Sequence, residues 1–144
     1  MVDILLVEDN PDHAILTQKV LEDNRVANKV YVVEDGETAL DFIYHRGTYN
    51  SNNAPRPGLI LLDVKLPKLD GFGVLRQLKG DPEHKSIPVV MLTTSSRDEE
   101  IAKGYAEGAN SYVAKPVMFD EFTEKIRGIG LYWGLISSIP QNCV

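Results

Sequence analysis

The chain has 144 residues, of which 43% are hydrophobic, and its formal net charge is −6 at pH 7. This length supports one well-formed core and is too short for two ordinary domains. No apolar run approaches the roughly 20 residues that cross a bilayer, and no signal segment precedes the first run. Lys and Arg form no long run or helical stripe, which disfavours direct nucleic-acid binding. The single cysteine, Cys143, agrees with a reducing compartment. We therefore expect a single cytoplasmic domain.

Five short apolar runs predict the strands of one sheet. They cover residues 4–7, 30–33, 59–62, 89–92 and 112–114. The stretches between them carry helical spacing and capping residues, and this alternation predicts βα repeats around a parallel sheet. Crossovers are right-handed and sequence neighbours usually pack together, which favours an α/β doubly wound sandwich with strand order 2-1-3-4-5.

Capping residues indicate where the helices begin. Asn or Asp precedes the first three expected helices, and Ser96 to Glu99 has the spacing of a capping box before the fourth. The expected helices lie at about 11–24, 35–46, from 70, from 96 and after Pro116. Residues 47–57 are rich in Gly, Asn, Ser and Pro, so we interpret them as a loop insertion within the domain.

Three acids and one lysine follow the ends of predicted strands. Glu8 and Asp9 come after the first strand, Asp63 after the third and Lys115 after the fifth. In the predicted order, the first and third strands flank the point where such sheets bind ligands. Converging carboxylates repel one another unless a cation lies among them, and Mg²⁺ prefers oxygen ligands. With Glu8 and Asp9 holding the metal, Asp63 is free to attack a phosphoryl group.

Two further side chains fit the same chemistry. Lys115 would neutralise charge on the phosphoryl oxygens, and Thr93, at the end of the fourth strand, would donate a hydrogen bond to them. Each residue alone has an ordinary interpretation: acids after strands as helix N-caps, the lysine as a solvated side chain, the threonine as a strand end. Four strand ends that all suit one anionic ligand make the joint site the better interpretation.

The segments that carry these residues resemble the receiver domain of two-component response regulators. The matching segments are Leu5–Asn10, Leu61–Gly71, Pro88–Thr94 and Gly108–Pro116. They fall in order across nearly the whole chain, which makes the match much stronger than any single motif. The resemblance implies a receiver, or flavodoxin-like, fold and a phosphorylation-activated signalling switch.

The resemblance also implies a role for each site residue. Asp63 is the phosphoacceptor and a metal ligand, and Glu8 and Asp9 hold Mg²⁺ together with the backbone carbonyl of Lys65. Lys115 contacts the phosphate, and the peptide bond that follows Lys115 is expected to be cis, which would aim the lysine at the site.

Thr93 and Tyr112 are expected to transmit the phosphorylated state. By the resemblance, phosphate on Asp63 draws the Thr93 hydroxyl inward and Tyr112 turns its ring into the space left behind. The alternative is that Tyr112 is a plain half-buried sheet residue. Thr94 and Lys65 depart from the residues usual at their positions in the family, and we predict slow self-dephosphorylation for that reason. The alternative for Lys65 is that its side chain points to solvent and only its backbone carbonyl matters.

An apolar C-terminal segment at about 119–139 continues the predicted fifth helix. It contains one stripe with 3-4 spacing and further apolar residues off that stripe. We expect helix four, strand five, helix five and this segment to form a homodimer face; the alternative is that the segment covers its own domain. We expect output through protein contacts, because no DNA-binding module follows. These features resemble stand-alone receivers paired with phytochrome-like sensor histidine kinases.

Two other functions remain open from the sequence. A Mg²⁺-dependent phosphatase with an aspartyl-phosphate intermediate also places an acid at a strand end, but such enzymes look for a second acid where this chain has Lys65. A flavodoxin-like cofactor carrier shares the predicted fold, but three acids would repel the cofactor phosphate. We therefore expect a switch and not an enzyme, with self-catalysed phosphoacceptance and slow autodephosphorylation as its only chemistry.

Overall fold

Each apolar run of the sequence forms one strand of a parallel sheet. The computed structural model describes residues 3–24, 29–94 and 98–128. The strands are β1 (Ile4–Val7), β2 (Val30–Val33), β3 (Leu59–Asp63), β4 (Val89–Thr93) and β5 (Ser111–Ala114). All neighbouring strands are parallel, and their order is β2-β1-β3-β4-β5. The predicted doubly wound α/β sandwich is confirmed.

A helix follows each strand. The helices are α1 (Pro11–Asp23), α2 (Gly36–Tyr44), α3 (Gly71–Lys79), α4 (Asp98–Glu107) and α5 (Phe119–Gly128). The side chains of Asn10, Asp35 and Asp70 accept hydrogen bonds from the first backbone amides of α1, α2 and α3, as expected of N-caps. The predicted cap at Ser96 lies outside the described residues.

The predicted helix limits differ slightly from those observed. α2 ends two residues before Arg46, because His45 adopts a left-handed conformation with φ 56° and closes the helix. α5 begins at Phe119, three residues after Pro116. Such one-turn differences are typical at helix ends, where tertiary contacts decide how many terminal residues stay helical.

The sheet separates two apolar layers. Successive strand residues face opposite sides, so Leu5 and Val7 pack towards α2 and α3, whereas Ile4 and Leu6 pack with Phe122 of α5. β1, β3 and β4 are buried along their whole length, because helices cover both faces of the sheet. Among the described residues, no helix is long and apolar enough to cross a membrane.

Residues 45–58, between α2 and β3, contain no helix or strand, as the composition predicted. The connection is nevertheless held in place. Tyr49 packs edge-on against Phe42 at 5.3 Å, and the Asn50 side chain accepts hydrogen bonds from the amides of Asn52 and Asn53. In the C-terminal apolar segment, Phe122 and Ile126 are fully buried, and everything after Gly128 lies outside the described residues.

The strand register brings the carboxyl ends of the central strands to one edge. Val7 of β1 pairs with Leu62 of β3, so Glu8 and Asp63 follow at the same level. α3 begins immediately beyond this edge, and a Cβ added to Gly71 would overlap the Asp63 carbonyl oxygen. The missing side chain therefore lets α3 start directly against the end of β3.

Candidate functional site

Lys115 joins two buried carboxylates at this edge of the sheet. Its ammonium group donates hydrogen bonds of 2.7 Å to Glu8 Oε1 and 2.7 Å to Asp63 Oδ2. The three side chains are 8%, 0% and 6% exposed, in the order Lys115, Glu8 and Asp63. The peptide bond between Lys115 and Pro116 is cis, as the family resemblance implied. Residues 8, 63 and 115, which the sequence predicted to converge, are in direct contact.

Backbone amides bind the remaining oxygen of each buried carboxylate. The Lys65 amide donates a 3.1 Å hydrogen bond to Asp63 Oδ1, and the Asn10 amide donates a 3.2 Å bond to Glu8 Oε2. Each acid is therefore held at two points, by Lys115 and by the chain that follows its own strand. This fixes the direction of both carboxylates.

His13 is a site residue that the sequence reasoning missed. It lies in the first turn of α1, and its Nδ1 is 3.2 Å from Lys115 Nζ and 3.9 Å from Glu8 Oε1. An unprotonated Nδ1 accepts the third N–H of the ammonium, whose other two bind the acids. The available signal was the N-cap at Asn10, because a helix that starts there brings position 13 back over the strand end.

Burial and mutual proximity shift the proton affinities of this cluster. Burial, and next the hydrogen bond with Asp63, raise the pKa of Glu8 from 4.5 to about 7, although Lys115 acts in the opposite direction. Burial by itself lowers the pKa of Lys115, but its hydrogen bonds to Asp63 and Glu8 outweigh burial and the pKa lies above its ordinary value. The lysine stays charged, and its single positive charge does not fully compensate two carboxylates.

The donor set suits a divalent cation. Carboxylate oxygens of Glu8, Asp9 and Asp63 all lie within 4.8 Å of one another, and Asp9 is exposed while the other two are buried. Ligands that are all oxygen, with one solvent-facing side, match the preference of Mg²⁺ and Mn²⁺ for carboxylates and retained water. The raised pKa of Glu8 also indicates a cation site, because a cation among the carboxylates relieves their repulsion.

The two predicted switch residues lie on adjacent strands. Thr93 is buried at the end of β4, one residue beyond Leu92, the residue that pairs with Asp63. Its carbonyl accepts a 2.9 Å hydrogen bond from the Lys115 amide. Tyr112 on β5 is only 6% exposed, so its side chain is buried in the core and not half-buried.

A cavity of about 250 Å³ opens beside the lysine. It is lined by His13, Leu16, Thr17, Thr94, Lys115 and Pro116. Leu16 in the cavity wall is 52% exposed, and its chain neighbour Ile15 is 62% exposed, although both are large apolar side chains. Thr94 is exposed at the cavity wall, and the Lys65 side chain is also exposed. The cavity beside Lys115 is therefore lined by both apolar and polar side chains.

Comparisons with known proteins agree with this architecture. The family profile "Response regulator receiver domain" matches residues 4–127. The response regulator Rcp1 of Synechocystis sp. is 38% identical over 137 residues, which cover 95% of this chain and 92% of Rcp1. The bacteriophytochrome response regulator AtBRR is 42% identical, with a TM-score of 0.85 over 96% of this chain and 99% of AtBRR.

Two other solved structures are similar over nearly their whole length. The Mn²⁺-bound form of Rcp1 is 36% identical in the structural comparison, with a TM-score of 0.76 over 97% of this chain and 98% of Rcp1. The phosphorylated cyanobacterial phytochrome response regulator RcpA is 38% identical, with a TM-score of 0.76 over 96% of each chain.

The chain belongs to the response regulator receiver domain family and is a phosphorylation-activated signalling switch. Within that family, it is similar to response regulators of phytochromes from bacteria and cyanobacteria.

The raised pKa of Glu8 predicts an unusual pH dependence of stability. Between pH 4.5 and about 7 the folded Glu8 keeps a proton that the unfolded chain has lost. In metal-free buffer with chelator, the free energy of unfolding of the wild type should therefore fall relative to Glu8→Gln as pH rises through this window. The slope should reach at most about 1.4 kcal/mol per pH unit, the value for one proton.

Urea unfolding at several pH values measures this difference. Glu8→Gln serves as the control because its amide keeps the size of the side chain and cannot titrate. A difference between the two proteins that stays constant from pH 4.5 to pH 7 would contradict the account of the site.

Proposed function

We propose that Asp63 accepts the phosphoryl group of a sensor histidine kinase and that Glu8, Asp9 and Lys115 make the transfer possible. The observation that carries the proposal is the pair of 2.7 Å hydrogen bonds from Lys115 to Glu8 and Asp63. Glu8 has no exposed surface in its side chain, and Asp63 lies at the end of a strand, where a phosphorylated partner can approach it.

Phosphoryl transfer needs a correctly oriented Asp63 carboxylate and a positive charge that stabilises the negative charge on the phosphoryl oxygens. One Asp63 oxygen forms the new P–O bond while the P–N bond to the kinase imidazole breaks and its electron pair leaves with the imidazole. The Lys65 amide donates a 3.1 Å hydrogen bond to Asp63 Oδ1 and so fixes the orientation of the carboxylate. Lys115 follows the negative charge from the Asp63 oxygen to the phosphoryl oxygens, and Thr93 donates its hydroxyl hydrogen to one of them.

Glu8, Asp9, Asp63 and the backbone carbonyl of Lys65 would hold Mg²⁺. The three clustered carboxylates support this assignment, and the similar protein Rcp1 has been solved in a Mn²⁺-bound form. When bound, the cation neutralises charge on the phosphoryl oxygens and relieves repulsion among the acids. Lys115 remains the only cation supplied by the side chains that contact Asp63 in the described part of the chain.

The proposed phosphoryl donor is a phytochrome-like histidine kinase in the cytoplasm. Similarity to AtBRR and RcpA supports this class of partner. The exposed apolar side chain of Leu16 lines the cavity at Lys115, so a partner helix that docks there would bring its imidazole towards Asp63. The protein then signals through protein contacts, without direct binding to nucleic acid and without turnover of an external substrate.

We infer a single receiver domain for residues 1–144, with an insertion at 47–57 and a homodimer face on α4, β5, α5 and the C-terminal segment. Tyr105 of α4 is 48% exposed beside β5, at the edge of the sheet opposite β2. Exposed aromatic residues are enriched at protein interfaces.

Incubation with Mg²⁺ and a small acyl-phosphate donor should add one phosphoryl group to the protein. Intact mass measures the addition. Asp63→Asn should abolish it, because the amide is a poor nucleophile, whereas Asp41→Asn on the surface of α2 should leave it unchanged. Phosphorylation of Asp63→Asn to the wild-type level, or catalytic hydrolysis of many phosphomonoesters, would contradict the proposal.

Thr94 and Lys65 should slow the loss of phosphate. Thr94 narrows the approach to Lys115, and the exposed Lys65 adds a mobile cation near Asp63. The double variant Thr94→Ala, Lys65→Asn should dephosphorylate roughly fivefold faster, which corresponds to a barrier lowered by about 1 kcal/mol. The decay of phosphorylated protein measures the dephosphorylation rate. Lys85→Asn, in the loop between α3 and β4, serves as the control. An unchanged or slower rate would remove this role.

The proposed dimer should be sensitive to charge at Tyr105. We expect a dimer by sedimentation at tens of micromolar in at least one of two conditions, with or without an acyl-phosphate mimic. Tyr105→Glu should dissociate this dimer because a buried unpaired carboxylate is costly. Val32→Glu on β2, at the opposite edge of the sheet, is the matched control and should remain dimeric. A wild-type monomer under both conditions would rule out the dimer.

A further inference from the structure

Tyr112 reaches α4 at a position where the helix has no side chain. Its hydroxyl donates a 2.8 Å hydrogen bond to the backbone carbonyl of Glu100, in the first turn of α4. A Cβ added to Gly104 would lie 2.5 Å from Tyr112 Cζ and closer still to the hydroxyl oxygen. The absence of a side chain at Gly104 therefore creates the slot that the tyrosine hydroxyl occupies.

The hydroxyl binds the backbone of α4 at one helical hydrogen-bond position. In an α-helix the amide of residue 104 faces the carbonyl of residue 100. The Tyr112 hydroxyl donates a hydrogen bond to the Glu100 carbonyl. Burial raises the pKa of Tyr112, and the nearby Gly104 amide acts in the opposite direction. The Tyr105 ring packs against the Tyr112 ring at a centroid distance of 5.3 Å. Tyr112 is thus attached to the backbone of α4 and not only packed beneath it.

The same tyrosine is tied to the phosphorylation site through the sheet. Tyr112 pairs with Met91 of β4, and two residues further along Thr93 pairs with Ala114, which precedes Lys115. A shift of the ends of β4 and β5 towards a phosphoryl group on Asp63 therefore also moves the base of Tyr112. A helix with an interior glycine is less stable than the same helix with alanine, so Gly104 lowers the intrinsic stability of α4.

We propose that Gly104 is a positioning residue: because it has no side chain, the Tyr112 hydroxyl reaches the Glu100 carbonyl, and this contact fixes the ring of the expected switch tyrosine against α4. The proposal rests on the proposed function of Asp63 and goes further by naming the residue of α4 that positions the switch tyrosine. Replacing Gly104 by any residue with a Cβ separates the two elements, because the ring must leave or the helix must move.

The first test is a double-mutant cycle of thermal stability on the full chain. Gly104→Ala should lower Tm by about 5 °C or more when Tyr112 is present. In the Tyr112→Ala background it should raise Tm by about 2–5 °C, because the slot is empty and alanine favours the helix. Gly128→Ala in α5, where an added Cβ meets nothing, should have the same sign in both backgrounds. A rise in Tm from Gly104→Ala in both backgrounds would contradict the claim that the Tyr112 hydroxyl needs the space at Gly104.

The second test measures coupling to the site, using beryllium trifluoride with Mg²⁺ as an acyl-phosphate mimic and calorimetry as readout. Gly104→Ala should bind the mimic about fivefold or more weakly than the wild type, and Gly128→Ala should bind it equally well. In the Tyr112→Ala background, Gly104→Ala should cause no further loss. Equal affinities of wild type and Gly104→Ala would overturn the coupling.

The two proposals fail in distinguishable ways. If Asp63→Asn binds beryllium trifluoride as tightly as the wild type, or the wild type does not bind it, the proposed function of Asp63 is wrong and so is the coupling to it. The slot between Tyr112 and Gly104 is judged separately, by the sign of the Tm change in the two backgrounds.

Discussion

The bridge from Lys115 to Glu8 and Asp63 is the interaction on which the rest of the structure depends. Two carboxylates in a buried site cost several kcal/mol in lost hydration unless a cation and hydrogen bonds compensate them. Here one ammonium group and two backbone amides compensate them in part, at distances of 2.7–3.2 Å. The three side chains come from the ends of three strands, so the bridge forms only if β1, β3 and β5 keep their order and register.

The function of the site depends on the fact that Lys115 does not fully compensate the negative charge of the carboxylates. One positive charge faces two carboxylates and the nearby Asp9, and the pKa of Glu8 rises to about 7 as a result of burial and the proximity of Asp63. A divalent cation and a phosphoryl group complement this arrangement together, because the first adds the missing positive charge and the second supplies oxygens for Lys115. β5 then connects chemistry and output, since it carries Lys115 at the site and Tyr112 in the slot of α4.

Local patterns predicted the strands, their order and the convergence of residues 8, 63 and 115, because buried parallel strands leave continuous apolar runs and their carboxyl ends share one edge. The contact of His13 with Lys115 was missed because it depends on the exact start and direction of α1. The slot at Gly104 also has no signal in the sequence, since a glycine within a helix is explained only by what approaches it from another element. The end of α2 was predicted two residues too late, because His45 adopts a left-handed conformation that closes the helix.

A crystal structure of the protein with Mg²⁺ and beryllium trifluoride tests the account most directly. The account predicts beryllium on an Asp63 carboxylate oxygen, the metal ligated by Glu8, Asp9 and Asp63, and Lys115 Nζ moved from Glu8 to within hydrogen-bonding distance of a fluoride. Beryllium trifluoride bound elsewhere, or bound at Asp63 while Lys115 still bridges Glu8 and Asp63, would contradict it.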